Sequence, residues 1–241
     1  MKKTFALILI FALMLCGTAM AETLTMGSSI DFAPYEYYDD ETGEIVGIDA
    51  EVAAAICEKL GYDLEIVDMD FSAIVPAVTT GKADFGMAGM TVTEDRLVNV
   101  DFSNTYATGV QVVIVKEGSD VTLDNLGDQM IGTQRGTTGY IYTSGDYGED
   151  HVTAYDNGAS AVQALMNGQV DCVVIDSAPA QAFVEANPGL TILDTEYTSE
   201  DYAIGMNKDN TALLEAINGA LKELTEDGTI PAIVEKYIPT K

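Results

Sequence analysis

Gly109-Val-Gln-Val-Val-Ile-Val115 is a long β-branched run that leads into the polar loop Lys116–Asp120, and it separates two stretches of chain that read alike. Upstream, short strand patterns alternate with helical ones. A strand over Thr23–Gly27 is followed by a helix that Gly47-Ile48-Asp49 leads into; Val52, Ile56 and Leu60 share one of its faces, and Gly61 stops it. A strand at Leu64–Val67, a helix from Phe71 to Thr80, a strand at Ala83–Met87 and a helical turn capped by Thr93 complete this stretch. Downstream the alternation begins again: strand Met130–Thr133, helix from Thr138, strand near Val152, helix Ala159–Met166, strand Asp171–Ile175, helix Ser177–Ala186. Tyr202–Met206 reads as a second crossing strand, and helices over Thr211–Leu224 and Pro231–Tyr237 close the chain. Alternation of this kind predicts α/β units. Two crossings that bracket a middle block predict two lobes, a discontinuous one over 22–108 and 202–241 and a continuous one over 109–201, with a ligand cleft between them.

The composition suits such a fold: 47% of residues are hydrophobic and 21% charged, with no low-complexity tract. Eleven Lys and Arg stand against 39 Asp and Glu, a formal net charge of −28. That balance argues against nucleic acid as a partner. The carboxylates are spread along the chain rather than blocked at metal-loop spacing, so they predict a solvated acidic surface and no metal site.

Lys2 and Lys3 precede an apolar run from Phe5 to Cys16, and Ala19-Met20-Ala21 follows, the pattern of a secretory signal peptide over residues 1–21 with an A-x-A cleavage site. The run falls short of the roughly twenty residues that span a bilayer. The mature protein is expected outside the cytoplasm. The alternative is a lipoprotein anchored through Cys16, where the bulky Leu15 occupies a position that calls for a small residue. Cys57 and Cys172 remain after cleavage; each has apolar neighbours, so buried free thiols are expected in preference to a disulfide.

Catalytic motifs are lacking. The single histidine, His151, lies in a polar stretch with no second His or Cys nearby, which speaks for a structural role. No G-x-S-x-G elbow, H-E-x-x-H or P-loop occurs, and neither a catalytic residue nor a cofactor is expected. Polar and aromatic residues do collect at strand ends and helix starts, where α/β proteins place their ligand sites.

These residues carry a resemblance over nearly the whole mature chain. Asp31-Phe32-Ala33-Pro34-Tyr35-Glu36, Gly47-Ile48-Asp49-Ala50-Glu51-Val52, Asp70-Phe71-Ser72-Ala73-Ile74-Val75-Pro76-Ala77, Ala88-Gly89-Met90-Thr91-Val92-Thr93-Glu94-Asp95-Arg96, Asp101-Phe102-Ser103, Arg135-Gly136-Thr137-Thr138 and Asp227-Gly228-Thr229 stand in this order and spacing. The sequence resembles the extracytoplasmic amino-acid-binding proteins of ABC importers, the polar amino-acid family of solute-binding proteins. Ala50 stands where the family usually has a larger aliphatic residue. The resemblance implies an α/β, two-lobed type II periplasmic-binding-protein fold whose lobes close on a free amino acid. It also implies a periplasmic monomer that delivers the amino acid to the membrane permease subunits.

By the same resemblance, Arg96 grips the ligand α-carboxylate, for which its planar guanidinium fork is suited. The alternative for Arg96 is an ion pair with Glu94 or Glu51. Thr138 is expected to bind that carboxylate from a helix start, or else to be a plain cap. Gly89 and Thr91 are implied to hold the ligand ammonium with a carbonyl and a hydroxyl, and Asp176 to oppose its charge, a role compatible with capping the helix from Ser177. Phe32 and Phe71 are implied to flank the ligand side chain, and Gln134 to enter the pocket from the second lobe. Tyr202 reads as hinge packing.

Specificity turns on Ser29. Relatives that bind glutamine or basic amino acids usually carry aspartate three residues before the aromatic at Phe32, and a hydroxyl at Ser29 cannot neutralise a buried cation. An uncharged ligand, polar or small, is therefore expected, with Asp31 as the residue a loop shift would bring into the missing aspartate's place. Arg135 follows Gln134 in an extended segment, so it is expected to point away from the cleft if Gln134 points in. The rival reading is an enzyme on the same fold, such as a cyclohexadienyl dehydratase, and product formation from prephenate or arogenate discriminates between the two.

Overall fold

The computed structural model describes residues 21–194 and 196–239. The expected leader, with Cys16, lies outside the described residues except for Ala21. Strand β1 (Thr23–Ser28) buries Leu24 and Met26 and ends where the chain doubles back through β2 (Asp31–Phe32), β3 (Glu36–Tyr38) and β4 (Ile45–Val46), a small antiparallel sheet. This sheet has no counterpart among the strands expected from sequence. Its strands are two or three residues long and rich in Asp, Glu and Tyr, too short for a period of two to register.

Helix α1 (Ile48–Leu60) follows. Gly47 precedes it at φ +123°, where a Cβ would overlap the Tyr35 carbonyl, so only glycine allows this entry. The helix ends at Gly61 in the left-handed region and buries Val52, Ala53 and Ile56. β5 (Asp63–Asp68), α2 (Phe71–Thr79), β6 (Phe85–Gly86), the single turn α3 (Glu94–Leu97) and β7 (Val100–Phe102) come next.

β8 (Ala107–Lys116) then crosses to the second lobe. Val112 and Ile114 pack into one apolar cluster, while Val113 and Val115 pack into another on the opposite face of the sheet. A strand covered on both faces has no solvent side, which is why Val112–Val115 is an unbroken β-branched run. β9 (Ile131–Gln134), α4 (Thr138–Tyr147), β10 (Val152–Tyr155), α5 (Gly158–Met166), β11 (Cys172–Asp176), α6 (Ser177–Ala186) and β12 (Leu190–Ile192) build the rest of this lobe.

The return crossing differs from the expected strand. β13 (Thr198–Tyr202) pairs antiparallel with β8, and β14 (Gly205–Asn207) pairs with β6 and β7 in the first lobe. Tyr202–Met206 is thus the end of one strand and the start of another, parted at Ala203-Ile204, because the chain changes sheets there. α7 (Thr211–Glu226) and α8 (Thr229–Tyr237) return to the first lobe, where Lys236 and the Tyr237 hydroxyl both donate to Glu51 of α1. The first sheet has the order β5-β1-β6-β14-β7, and the second β10-β9-β11-β8-β12 with β13 beside β8. Cys57 and Cys172 are buried free thiols in separate clusters. Among the described residues no helix is long and apolar enough to cross a membrane.

Candidate functional site

The turns at the ends of β1, β6 and β9 meet between the sheets. Phe32 and Glu36 are direct partners across β2 and β3, so both side chains leave the same face. Phe32 stacks on Tyr35 with ring centroids 5.6 Å apart, and Tyr35 meets Tyr202 edge-on at 5.4 Å. Past β6, Gly89 takes φ +53° and lies against the Phe32 ring, and its N–H donates 2.7 Å to Asp49 Oδ2.

Arg96 is buried in α3, where Thr93 accepts from its backbone N–H at 3.2 Å and caps the turn. Its Nη1 donates to the Thr91 carbonyl at 2.7 Å and its Nη2 to the Gly136 carbonyl at 3.1 Å, with the guanidinium over the Phe71 ring at 5.2 Å. The ion-pair alternative is excluded for both acids: Glu51 is engaged by Lys236, and no ion pair among the described residues joins Glu94 to Arg96. From the second lobe, Gln134 ends β9, Gly136 makes a left-handed turn, and Thr137 caps α4 by accepting from the Tyr140 N–H. The cap is therefore Thr137, and Thr138 is the first residue of the helix.

One pocket brings together Ser29, Phe32, Phe71, Gly89, Thr91, Arg96, Gln134 and Thr138. Asp176 is not in its wall. That carboxylate is buried behind it, accepting from Ala178 N–H at 2.9 Å, from Val110 N–H at 3.0 Å and from the Tyr202 hydroxyl at 2.8 Å. Burial pushes it up to about 6 against the lowering effect of those three bonds. Arg135 points outward, onto the Ala154 carbonyl and toward Asp156.

The wall also contains Asp31, the residue named as a stand-in for the missing aspartate, together with residues that the sequence left without a role there: Glu36, Ala88, Gln111, Thr137 and Tyr202. Tyr202 packs at the hinge and also faces the pocket. Gln111 lies on β8 and donates 2.9 Å to the buried Glu200. Glu36 is fully buried, and neither of its carboxyl oxygens has a hydrogen-bond partner. Burial, followed by the nearby Asp49 and Asp31 carboxyl groups, holds it well above the usual carboxylate range. Asp31 is raised as well, first by burial, with Asp68 and Asp70 adding to the shift. One signal for Glu36 was present in the sequence, an acid set between Tyr35 and Tyr37 in a strand-like stretch.

The model of the bacterial extracellular solute-binding proteins, family 3, matches residues 24–240. The chain belongs to this family. ABC transporter arginine-binding protein 1 of Escherichia coli K12 is 30% identical over 98% of this chain and 99% of its own length. An ancestral arginine-binding protein, in a structure bound to glutamine, is 40% identical and superposes with a TM-score of 0.86 over 92% of this chain and all of that one. The arginine-bound form of truncated ArgBP from T. maritima is 42% identical with a TM-score of 0.79, covering 84% and 96%. This family 3 protein is thus an extracytoplasmic amino-acid-binding component of an ABC transporter, and it binds its solute rather than transforming it.

Proposed function

We propose that this solute-binding protein captures a basic amino acid, arginine foremost, and hands it to its importer's permease as a monomer. The observation that carries the reading is the make-up of the pocket wall, which holds one guanidinium, Arg96, and two carboxyl groups, Asp31 and Glu36. An amino acid with a cationic side chain presents its carboxylate to Arg96 and its side-chain cation to the two acids, the complementary pattern. Arg96, Thr138 and the turn before it take the α-carboxylate, while Gly89 and Thr91 take the ammonium, with Asp176 acting from behind through Tyr202. Phe32 and Phe71 flank the side chain, with Ser29, Gln134, Asp31 and Glu36 at its polar end.

This replaces the uncharged ligand expected from Ser29. That argument weighed a hydroxyl against a missing aspartate and left Glu36 out; an acid on the neighbouring strand supplies the charge that Ser29 lacks. The relatives named for arginine support the same choice. Binding draws together the lobes of residues 22–108 with 202–241 and of residues 109–201, about the crossings at β8 and β13. A thermal-shift screen against the twenty amino acids, followed by competition calorimetry, tests the reading. Arginine, lysine or histidine should give the largest shift, about 2.7 kcal/mol at a hundredfold excess over the dissociation constant. A neutral or acidic amino acid as the tightest ligand would overturn it.

A further inference from the structure

Glu36 and Asp49 form a buried carboxyl pair that no ion pair among the described residues neutralises. Asp49 Oδ2 is fully engaged by the Gly89 N–H at 2.7 Å and the Tyr106 hydroxyl at 2.8 Å, whereas Asp49 Oδ1 and both Glu36 oxygens are without a donor. Two adjacent carboxylates in such a place cannot both ionise at little cost. A single proton held between them joins Glu36 to Asp49 Oδ1 and leaves one Glu36 oxygen for whatever fills the pocket that Glu36 lines.

We propose that Glu36 and Asp49 share one proton in the ligand-free protein and release it to solvent when a cationic side chain binds, so that the protonation state of Glu36 sets which class of amino acid the pocket accepts. With the proton gone, Glu36 is an acceptor for guanidinium or ammonium. With the proton retained, Glu36 is itself uncharged and the pair's single negative charge stays on Asp49, which the Gly89 and Tyr106 donors already solvate, so an amide side chain binds with no change in the pair's charge. The inference rests on the basic-ligand reading and deepens it. It is compatible with a protein of the same fold that is named for arginine and is seen bound to glutamine.

The groups that surround the pair favour a retained proton. The charges of Asp49 on α1 and of Asp31 on β2 both act on Glu36, and the Tyr35 and Tyr106 hydroxyls lie near it; all are acids or phenols. Arg96 lines the same pocket, with two of its N–H groups on the Thr91 and Gly136 carbonyls and the others left for the ligand carboxylate rather than for Glu36. Burial lifts Glu36 well above the carboxylate range and Asp49 to about 6, the direction a shared proton requires. The two titrate as a pair.

Calorimetry of the mature protein with arginine and with glutamine, in two buffers of different ionisation enthalpy, counts the protons exchanged. Arginine should release close to one proton near pH 6, and its affinity should rise by up to tenfold per pH unit where the pair is protonated in the free protein. Glutamine should release none. Glu36→Gln, checked for folding by circular dichroism, should abolish the proton release and the pH slope for arginine and lower arginine affinity at least tenfold. Arginine binding without proton release in the native protein, or a slope that survives in Glu36→Gln, would overturn the proton exchange. Absence of arginine binding alongside tight binding of a neutral amino acid would instead overturn the basic-ligand reading, and this inference with it.

Discussion

Arg96 Nη2 in the first lobe donates to the carbonyl oxygen of Gly136 in the second across 3.1 Å. The guanidinium assigned to the ligand carboxylate thus also joins the lobes, and the turn it reaches is pressed against α2. A Cβ at Gly136 would sit 3.1 Å from the Ser72 Cβ, and φ there is +77°.

Gly136→Ala should therefore impair closure while sparing each lobe. An alanine in the left-handed region costs roughly 1–2 kcal/mol, and the contact with Ser72 adds to it. We expect ligand affinity to fall about tenfold or more and the ligand-induced decrease in radius of gyration, measured by small-angle scattering, to shrink. Native affinity with full compaction would show that the turn opens without cost.

Arg96→Ala should abolish amino-acid binding in a folded protein. The variant removes the carboxylate's charged partner and two charge-assisted bonds to carbonyls, each worth about 1.5–3 kcal/mol. Calorimetry should show at least a hundredfold loss of affinity. Arg96→Lys should rescue little, since a single ammonium cannot reproduce a fork that spans two carbonyls. Equal binding by the lysine variant would mean that point charge alone is recognised.

Asp49→Ala should weaken the fold as well as the pocket. Its carboxylate holds the Gly89 N–H and the Tyr106 hydroxyl, and their loss strands two buried donors. About 2–4 kcal/mol is expected, a drop of roughly 4–16 °C in Tm for a chain of this size. A thermal melt within a degree or two of the native protein would show that water replaces the carboxylate.

Stability should fall as pH rises through the mildly acidic range. Burial raises Asp49 and Asp176 each to about 6 and lifts Glu36 well above its ordinary value, whereas carboxyl groups of an unfolded chain titrate near about 4. Between those values the native state binds more protons than the unfolded one, so the stability present below about pH 4 is lost by about pH 6. Each aspartate contributes on the order of 2–3 kcal/mol to that loss. At Glu51 burial is outweighed by the bonds from Lys236 and Tyr237, so its pKa is lowered and its opposite effect is confined below about pH 4.5. Urea unfolding of the ligand-free protein in about 0.5 M salt, which screens the acidic surface, should give a higher midpoint at pH 5 than at pH 8. Equal midpoints would mean that the buried acids ionise freely.

Much of the fold could be read from local pattern, and the reasons are visible in single elements. The β-branched run at Val110–Val115 marks a strand buried on both faces, and Gly61 ends α1 because it is free to take the left-handed region. Phe32, Phe71, Arg96 and Thr138 are picked out by the family motifs around them, and the chemistry of a fork, an aromatic ring or a helix start agrees with the roles the resemblance implies. Pairing between distant segments follows no such rule. Glu36 is opposite Phe32 through a strand of three residues, and its second neighbour, Asp49, comes from another element. The break at Ala203-Ile204 exists because β13 and β14 join different sheets. Likewise Asp176 is withdrawn from the pocket by Val110 and Tyr202, one from each crossing strand. Local pattern and the order of the motifs thus set the class of fold and most of the residues that line the pocket, whereas the burial of acids side by side, which bears on ligand choice, arose from long-range contacts.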